Sequence, residues 1–158
     1  MKKVGITTDY RKATIAARER KERSGVASSA IELEDGTLIS AETSPLLGPS
    51  AALILNATKY LAGIDHNVKL IPQSMIEPIQ KTKVSFLHGH NPRLHTDEVL
   101  VALSMLSTTD PNCRKALECL PQLNGCQVHS TVMLSEVDHK IFKKLGVGLT
   151  CDPVKKEQ

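Results

Sequence analysis

Tryptophan is absent, and Tyr10, Tyr60, Phe86 and Phe142 are the only aromatic side chains. So few rings exclude a stacking platform for single-stranded nucleic acid or for sugars. Long apolar runs are missing too. The longest, such as Ala51 to Leu55, extend over five residues, far short of a bilayer span, which excludes a membrane protein. Thr7, Thr8, Asp9, Arg11 and Lys12 stand where a signal peptide needs an apolar stretch, so the expected location is cytoplasmic. In that compartment the four cysteines are expected as thiols and not as a disulfide framework. No Cys-x-x-Cys occurs, and five residues separate Cys113 from Cys119, a spacing foreign to structural zinc sites. Neither a Gly-x-Ser-x-Gly elbow nor a phosphate-cradling glycine loop is present.

What is there reads as one globular domain. The 158 residues are 41% hydrophobic and 23% charged, which is ordinary usage and rules out wholesale disorder. The net charge of +3 is unevenly placed: residues 1–23 carry eight Lys/Arg against three Asp/Glu. This basic segment is expected to be a helical arm with i,i+4 pairs Arg18/Glu22 and Glu19/Arg23. Its apolar face (Tyr10, Ala13, Ile15, Ala16, Ala17) is thin, so it needs a partner to pack on. Residues 24–154 form the domain proper, and 155–158 are a tail.

Local signals place the elements. Ala30–Leu33 and Thr37–Ser40 flank Glu34-Asp35-Gly36, a hairpin signature. A helix from Ser50 to Ala62 is apolar on nearly every side and stops at Gly63, which predicts central burial. Val68–Ile71 reads as a short buried strand, and residues 74–87 as a helix interrupted near Pro78. Thr96 is expected to cap a helix over Asp97–Leu106, and Asp110-Pro111 to open another that ends before Pro121. Val128–Leu134 reads as a strand, Asp138 as the cap of a helix ending at Gly146, and Gly148–Cys151 as a last strand. The fold class is α/β: a single mixed sheet with an N-terminal β-hairpin and helices packed on its faces.

The chemistry concentrates in His88–Glu98, where three imidazoles, a guanidinium and two carboxylates feed a helix N-terminus. Arg93 and the helix amides can hold a phosphate or carboxylate, with Asn91, Thr96 and Asp97 as further ligand-binding candidates. His95 is the candidate catalytic acid/base. The competing reading is structural: Asn91 and Thr96 cap, Arg93 pairs with Asp97 or Glu98, and the histidines face solvent. His129 is a further ligand-binding candidate. It shares a strand face with Thr131 and points away from its neighbour Ser130, so those two cannot form a nucleophile–base pair. Cys126 and Cys151 read as small buried hydrophobes. No zinc-deaminase ligand pattern is present around Gly48–Ile54 or Pro111–Cys113 and no metal is expected, while the sequence names no particular cofactor, which stays unknown.

Asn91-Pro92-Arg93-Leu94-His95-Thr96-Asp97-Glu98-Val99-Leu100 resembles the signature block of the domain-of-unknown-function-1846 family of bacterial proteins. Ala30–Gly36, Ile76–Lys81, Gly125–Thr131 with Ser135–Asp138, and Lys144–Gly146 through Leu149–Pro153 are similar to it as well, in the same order. Members of that family are considerably longer, and the resemblance covers only their C-terminal portion. It implies a piece of a longer protein or a stand-alone relative, in which the basic arm has lost its packing partner. It supplies no reaction and no catalytic residues to carry over.

Three functional expectations follow. The first is an accessory α/β domain that packs on a larger ligand-binding or catalytic domain of the same longer chain, or that self-associates as a homo-oligomer. The second is a small self-sufficient enzyme acting on an anionic molecule, with His95 as acid/base and Arg93 as anion clamp. The third is nucleic-acid binding through the arm, disfavoured because its charges are mixed.

Overall fold

The computed structural model describes residues 12–153. Tyr10, the first part of the expected arm and the tail 155–158 lie outside them. The described chain runs α1 (Lys12–Ser24), β1 (Ser28–Glu32), β2 (Leu38–Glu42), α2 (Pro49–Ala62), α3 (Gln73–Lys81), α4 (Thr96–Leu106), α5 (Pro111–Glu118), β3 (Gln127–Ser130), α6 (Glu136–Leu145) and β4 (Gly148–Cys151). The four strands form one mixed sheet in the order β2-β1-β3-β4. β1 is antiparallel to both neighbours, whereas β3 and β4 are parallel and joined through α6. The fold is thus α/β, and its first two strands are the expected hairpin. Asp35 Oδ1 accepts the Thr37 amide, and Gly36 takes φ +88°, which glycine adopts without a Cβ penalty.

The register sorts the sheet into two unlike faces. Ile31, Ile39, Val128 and Leu149 lie abreast on one face, and Ala30, Ser40, His129 and Thr150 on the other. The apolar face meets α2 through Leu53, Ile54 and Ala57, and α6 through Phe142. A second core lies beyond α2, where Ala51 and Leu55 meet Ile76 of α3, Val99 and Leu103 of α4, and Cys113 and Ala116 of α5. α2 therefore serves two cores from opposite sides, which is why its sequence is apolar almost all round. Gly63 ends it in the left-handed conformation, φ +71°.

The polar face is covered by α1, which buries Ala13, Thr14 and Ala17 and contacts β1, β2 and β3. The helix needs no partner from outside the chain: its partner is the sheet. Small residues let it approach closely, and arginines fasten its edges. Arg20 donates from Nε to Glu42 and from Nη1 to the Ser40 carbonyl, and Arg18 pairs with Asp152 at 2.6 Å.

Several local expectations are corrected. Val68–Ile71 is not a strand: Lys59 Nζ donates to the carbonyl of Val68 and the Cys113 thiol to that of Leu70, so side chains satisfy this backbone in place of a neighbouring strand. Pro78 does not interrupt its helix; α3 runs through it to Lys81 and widens into a π-turn over Thr82–Phe86. β3 ends at Ser130, because the Ser130 hydroxyl donates to the Val132 carbonyl and the chain bends there. Thr96 is not a cap but the first residue of α4, with His95 at the N-cap position. Likewise Ser135, not Asp138, caps α6, its Oγ accepting the Asp138 amide at 3.3 Å. No disulfide joins the four cysteines.

Candidate functional site

The segment expected to carry chemistry becomes a pinned loop. It leaves the π-turn at His88, the one described non-glycine residue with positive φ (+60°), and doubles back so that the Gly89 amide donates to the Lys83 carbonyl at 2.7 Å. A Cβ at Gly89 would stand 2.9 Å from that carbonyl oxygen, so the turn requires glycine. Asn91 Oδ1 then accepts the Arg93 amide, an Asx turn that aims the chain at α4. Leu94 exchanges backbone bonds with the 46–48 segment, donating to Leu46 O and accepting from Gly48 N, and its side chain is buried in the second core.

Lys83 and Glu98 close the loop from below. Lys83 Nζ donates to the Arg93 carbonyl at 2.6 Å and to Glu98 Oε1 at 2.8 Å. The same oxygen accepts the His95 amide at 2.8 Å, and His95 Nδ1 stands 3.4 Å from it. Burial alone would raise the pKa of Glu98. The His95 side chain and amide, together with the Lys83 ammonium, outweigh burial and hold it at about 2. Glu98 is thus a permanent anion around which a lysine, a histidine and a helix N-terminus are organised.

Arg93 does not pair with Asp97 or Glu98. Its Nε donates to the Ser44 carbonyl at 2.7 Å, across the loop from β2 to α2. Among the described residues its two terminal nitrogens have no acceptor, so an anchored guanidinium presents its fork outward. His95 is partly exposed beside it, at 23%. Thr96 is fully buried, its amide and hydroxyl both donating to Asp138 Oδ1. Asp97 accepts the Glu98 amide and, with Glu98, lines one end of an apolar groove of about 380 Å³. Met75 and Ile79 of α3 and Val101 and Met105 of α4 form its walls, and Val101 and Met105 are 62% and 64% exposed. His88 and His90 are exposed on the loop surface.

The structure brings Asn91, Arg93, His95, Thr96 and Asp97 onto one short stretch, and it places His129 elsewhere. That imidazole is buried at 1% on the polar sheet face under α1. Nδ1 meets Thr150 Oγ1 at 2.7 Å, and Nε2 stands 3.0 Å from Asp152 Oδ1, whose carboxylate also takes Arg18. Hydrogen bonding from Arg18 leads the effects that draw the Asp152 pKa below its ordinary value. With both ring nitrogens engaged and the ring buried, His129 fastens α1, β3 and β4 together. Among the described residues no three His, Cys, Asp or Glu side chains converge to hold a metal ion, and no helix is long and apolar enough to cross a membrane.

Ser44, Lys83 and Asp152 escaped sequence reasoning, as did the use of Asp138 as the partner of Thr96. Their partners are not sequence neighbours: 10 and 15 residues separate Lys83 from Arg93 and Glu98, 49 separate Arg93 from Ser44 and 42 separate Thr96 from Asp138, and nothing local announces such pairings.

Residues 9–158 match the family model described as "Domain of unknown function DUF1846, C-terminal". The chain is 50% identical over 154 residues to a UPF0371 protein of Corynebacterium aurimucosum, an alignment covering 98% of this chain and 31% of that relative. It is 51% identical over 153 residues to one of Corynebacterium urealyticum and 43% identical over 154 residues to one of Streptococcus pyogenes serotype M5, with 31% of each relative covered. The chain therefore spans about a third of the length of the curated relatives it matches.

Proposed function

Because the chain belongs to the DUF1846 family, matching its C-terminal domain, we propose that it acts in the cytoplasm as an accessory α/β domain that packs on a larger ligand-binding or catalytic portion like the one its relatives carry. In this reading Arg93 and His95 complete a site whose remaining walls come from that larger portion. The groove between α3 and α4 carries the proposal. Among the described residues the most exposed large apolar side chains are Leu87, Met105, Phe86 and Val101, and Val101 and Met105 line this groove beside the loop that presents Arg93. A partner seated in the groove buries that surface, and Asp97 and Glu98 at its end favour a basic residue in the docking segment.

The test joins this chain to the preceding portion of the Corynebacterium aurimucosum relative and follows thermal unfolding. Val101→Glu or Met105→Glu is expected to split one cooperative transition into two, because docking fails while each part stays folded. Arg93→Ala is expected to leave the single transition intact. Unchanged cooperativity in both groove variants would overturn the docking. If the chain alone dimerises and Val101→Glu makes it monomeric, the occupant is a second copy. Turnover of an anionic substrate by the chain alone, abolished by His95→Ala, would establish the self-sufficient enzyme instead.

A further inference from the structure

A second cavity lies away from the Arg93 loop, between α1, the hairpin and the C-terminal half of α2. It measures about 330 Å³, within the range of small-molecule sites. Arg20, Asn56, Lys59 and His66 line it with polar groups, and Leu38 and Tyr60 add apolar wall. No carboxylate is part of that lining. We propose that this cavity binds a small oxyanion, a carboxylate or a phosphate, carried on a molecule with an apolar part.

The argument rests on donors left over after the fold is satisfied. Lys59 is 9% exposed, and its ammonium carries three hydrogens. Two go to the carbonyls of His66 at 2.9 Å and Val68 at 3.0 Å, which hold the turn after α2. Among the described residues no carboxylate stands within ion-pair distance of Nζ, so one hydrogen and the charge remain for a ligand. Burial draws the Lys59 pKa down, and Asp65, acting from beyond ion-pair distance, opposes this. A bound anion would supply the missing counter-charge.

Arg20 tells the same story from the other wall. Nε is held by Glu42 at 3.0 Å, and Nη1 by the carbonyl and hydroxyl of Ser40, which fixes the plane of the guanidinium. Nη2 has no acceptor among the described residues. Asn56 gives one Nδ2 hydrogen to the Ser40 carbonyl, and among the described residues no acceptor takes the second; its Oδ1, an acceptor, adds nothing to anion binding. The Tyr60 hydroxyl is tied to Thr37 Oγ1, so its ring is held in place as the apolar wall. Arg20, Asn56 and Lys59 line one cavity, are held by structural bonds and keep donor hydrogens unused among the described residues, which preorganises them for an anion.

The probes are inorganic phosphate, phenyl phosphate and benzoate, titrated into this chain in chloride buffer and followed by calorimetry and by amide shifts of residues 56–66. Saturable binding is expected, tighter for phenyl phosphate or benzoate than for inorganic phosphate because of the apolar wall; the preferred arm separates phosphate from carboxylate. Arg20→Gln and Lys59→Met are expected to weaken it about tenfold or more, as loss of a charge-assisted bond does. Lys115→Gln, an exposed lysine on α5, is expected to leave it unchanged. If Lys59→Met fails to fold, Arg20→Gln with its unchanged amide spectrum carries the test. Absence of saturation with all three probes, wild-type affinity in a folded Arg20→Gln, or loss of binding in Arg93→Gln would each overturn the proposal.

Discussion

Asp138 Oδ1 accepts both the amide and the hydroxyl of Thr96, at 3.1 and 2.7 Å, so a carboxylate of α6 holds the first residue of α4 from 42 positions away. Both side chains are buried, Thr96 at 0% and Asp138 at 3%. Two polar residues that could each have capped its own helix are joined to each other, and the helices that carry them are thereby fixed in relation to the candidate loop.

Removing that carboxylate strands two buried donors. Asp138→Ala is expected to lower stability by about 2–3 kcal/mol, and Thr96→Val, which removes the hydroxyl but keeps the amide bond, by about 1–2 kcal/mol. Urea denaturation of both variants checks the order. Equal or negligible losses would mean that the pairing contributes little.

Glu98 makes stability depend on acid. Its folded pKa of about 2 lies below its ordinary value, so its contribution is present above the ordinary carboxylate range and is lost as pH falls toward 2. The side chain is 26% exposed, and solvent screening brings the contribution to about 1–2 kcal/mol. Stability measured from pH 6 to pH 2 should fall more steeply for the wild type than for Glu98→Gln, which should start lower and converge with it at the acid end.

Arg18, Asp152 and His129 form a chain from solvent to the sheet. Arg18 is 44% exposed, so Arg18→Ala should cost no more than about 1 kcal/mol, whereas Asp152→Ala also removes the carboxylate beside a buried imidazole and should cost about 2–3 kcal/mol. In hydrogen exchange, both variants should accelerate α1 amides before those of α2. Uniform acceleration across the domain would contradict the fastening role.

Thiol chemistry should follow burial. Desolvation, with Asp110 nearby, pushes Cys113 up to about 11, and burial raises Cys119 and Cys126 as well. Cys151 is raised too, but it is the least buried of the four. Alkylation of the native protein at pH 8, read by mass spectrometry, should modify Cys151 first and Cys113 only on unfolding. Early modification of Cys113 would contradict this placement.

The sequence is legible where the determinant is local. Asp35-Gly36 marks the hairpin, Asp110-Pro111 opens α5 with Asp110 accepting the Asn112 amide, and Gly63 and Gly146 close their helices with positive φ. A Cβ at Gly146 would also collide with the Asn124 side chain, a constraint visible only in three dimensions. Reading fails where a distant partner outbids the local one. Thr96 and Asp138 have cap chemistry but use it on each other, and Val68–Ile71 has strand composition but no strand to pair with. At the candidate site the sequence identifies the loop residues. It does not reveal that Ser44 anchors Arg93, that Lys83 spans the loop, or that His129 belongs to another part of the fold.

The position of β1 between β2 and β3 has a consequence for biogenesis. The hairpin forms from neighbouring residues, but the other edge of β1 meets β3 only after nearly a hundred more have been made, as the Ser28–Thr131 bond across 103 positions shows. A nascent chain therefore emerges with a two-stranded ribbon whose inner edge is open, and loop closure must await the C-terminal third. During that interval the uncovered edge of β1, with Ser29, Ala30 and Ile31 in the middle of the strand, is a template for pairing with another chain. Translation pausing or premature termination before β3 should thus produce aggregation where the finished chain produces none.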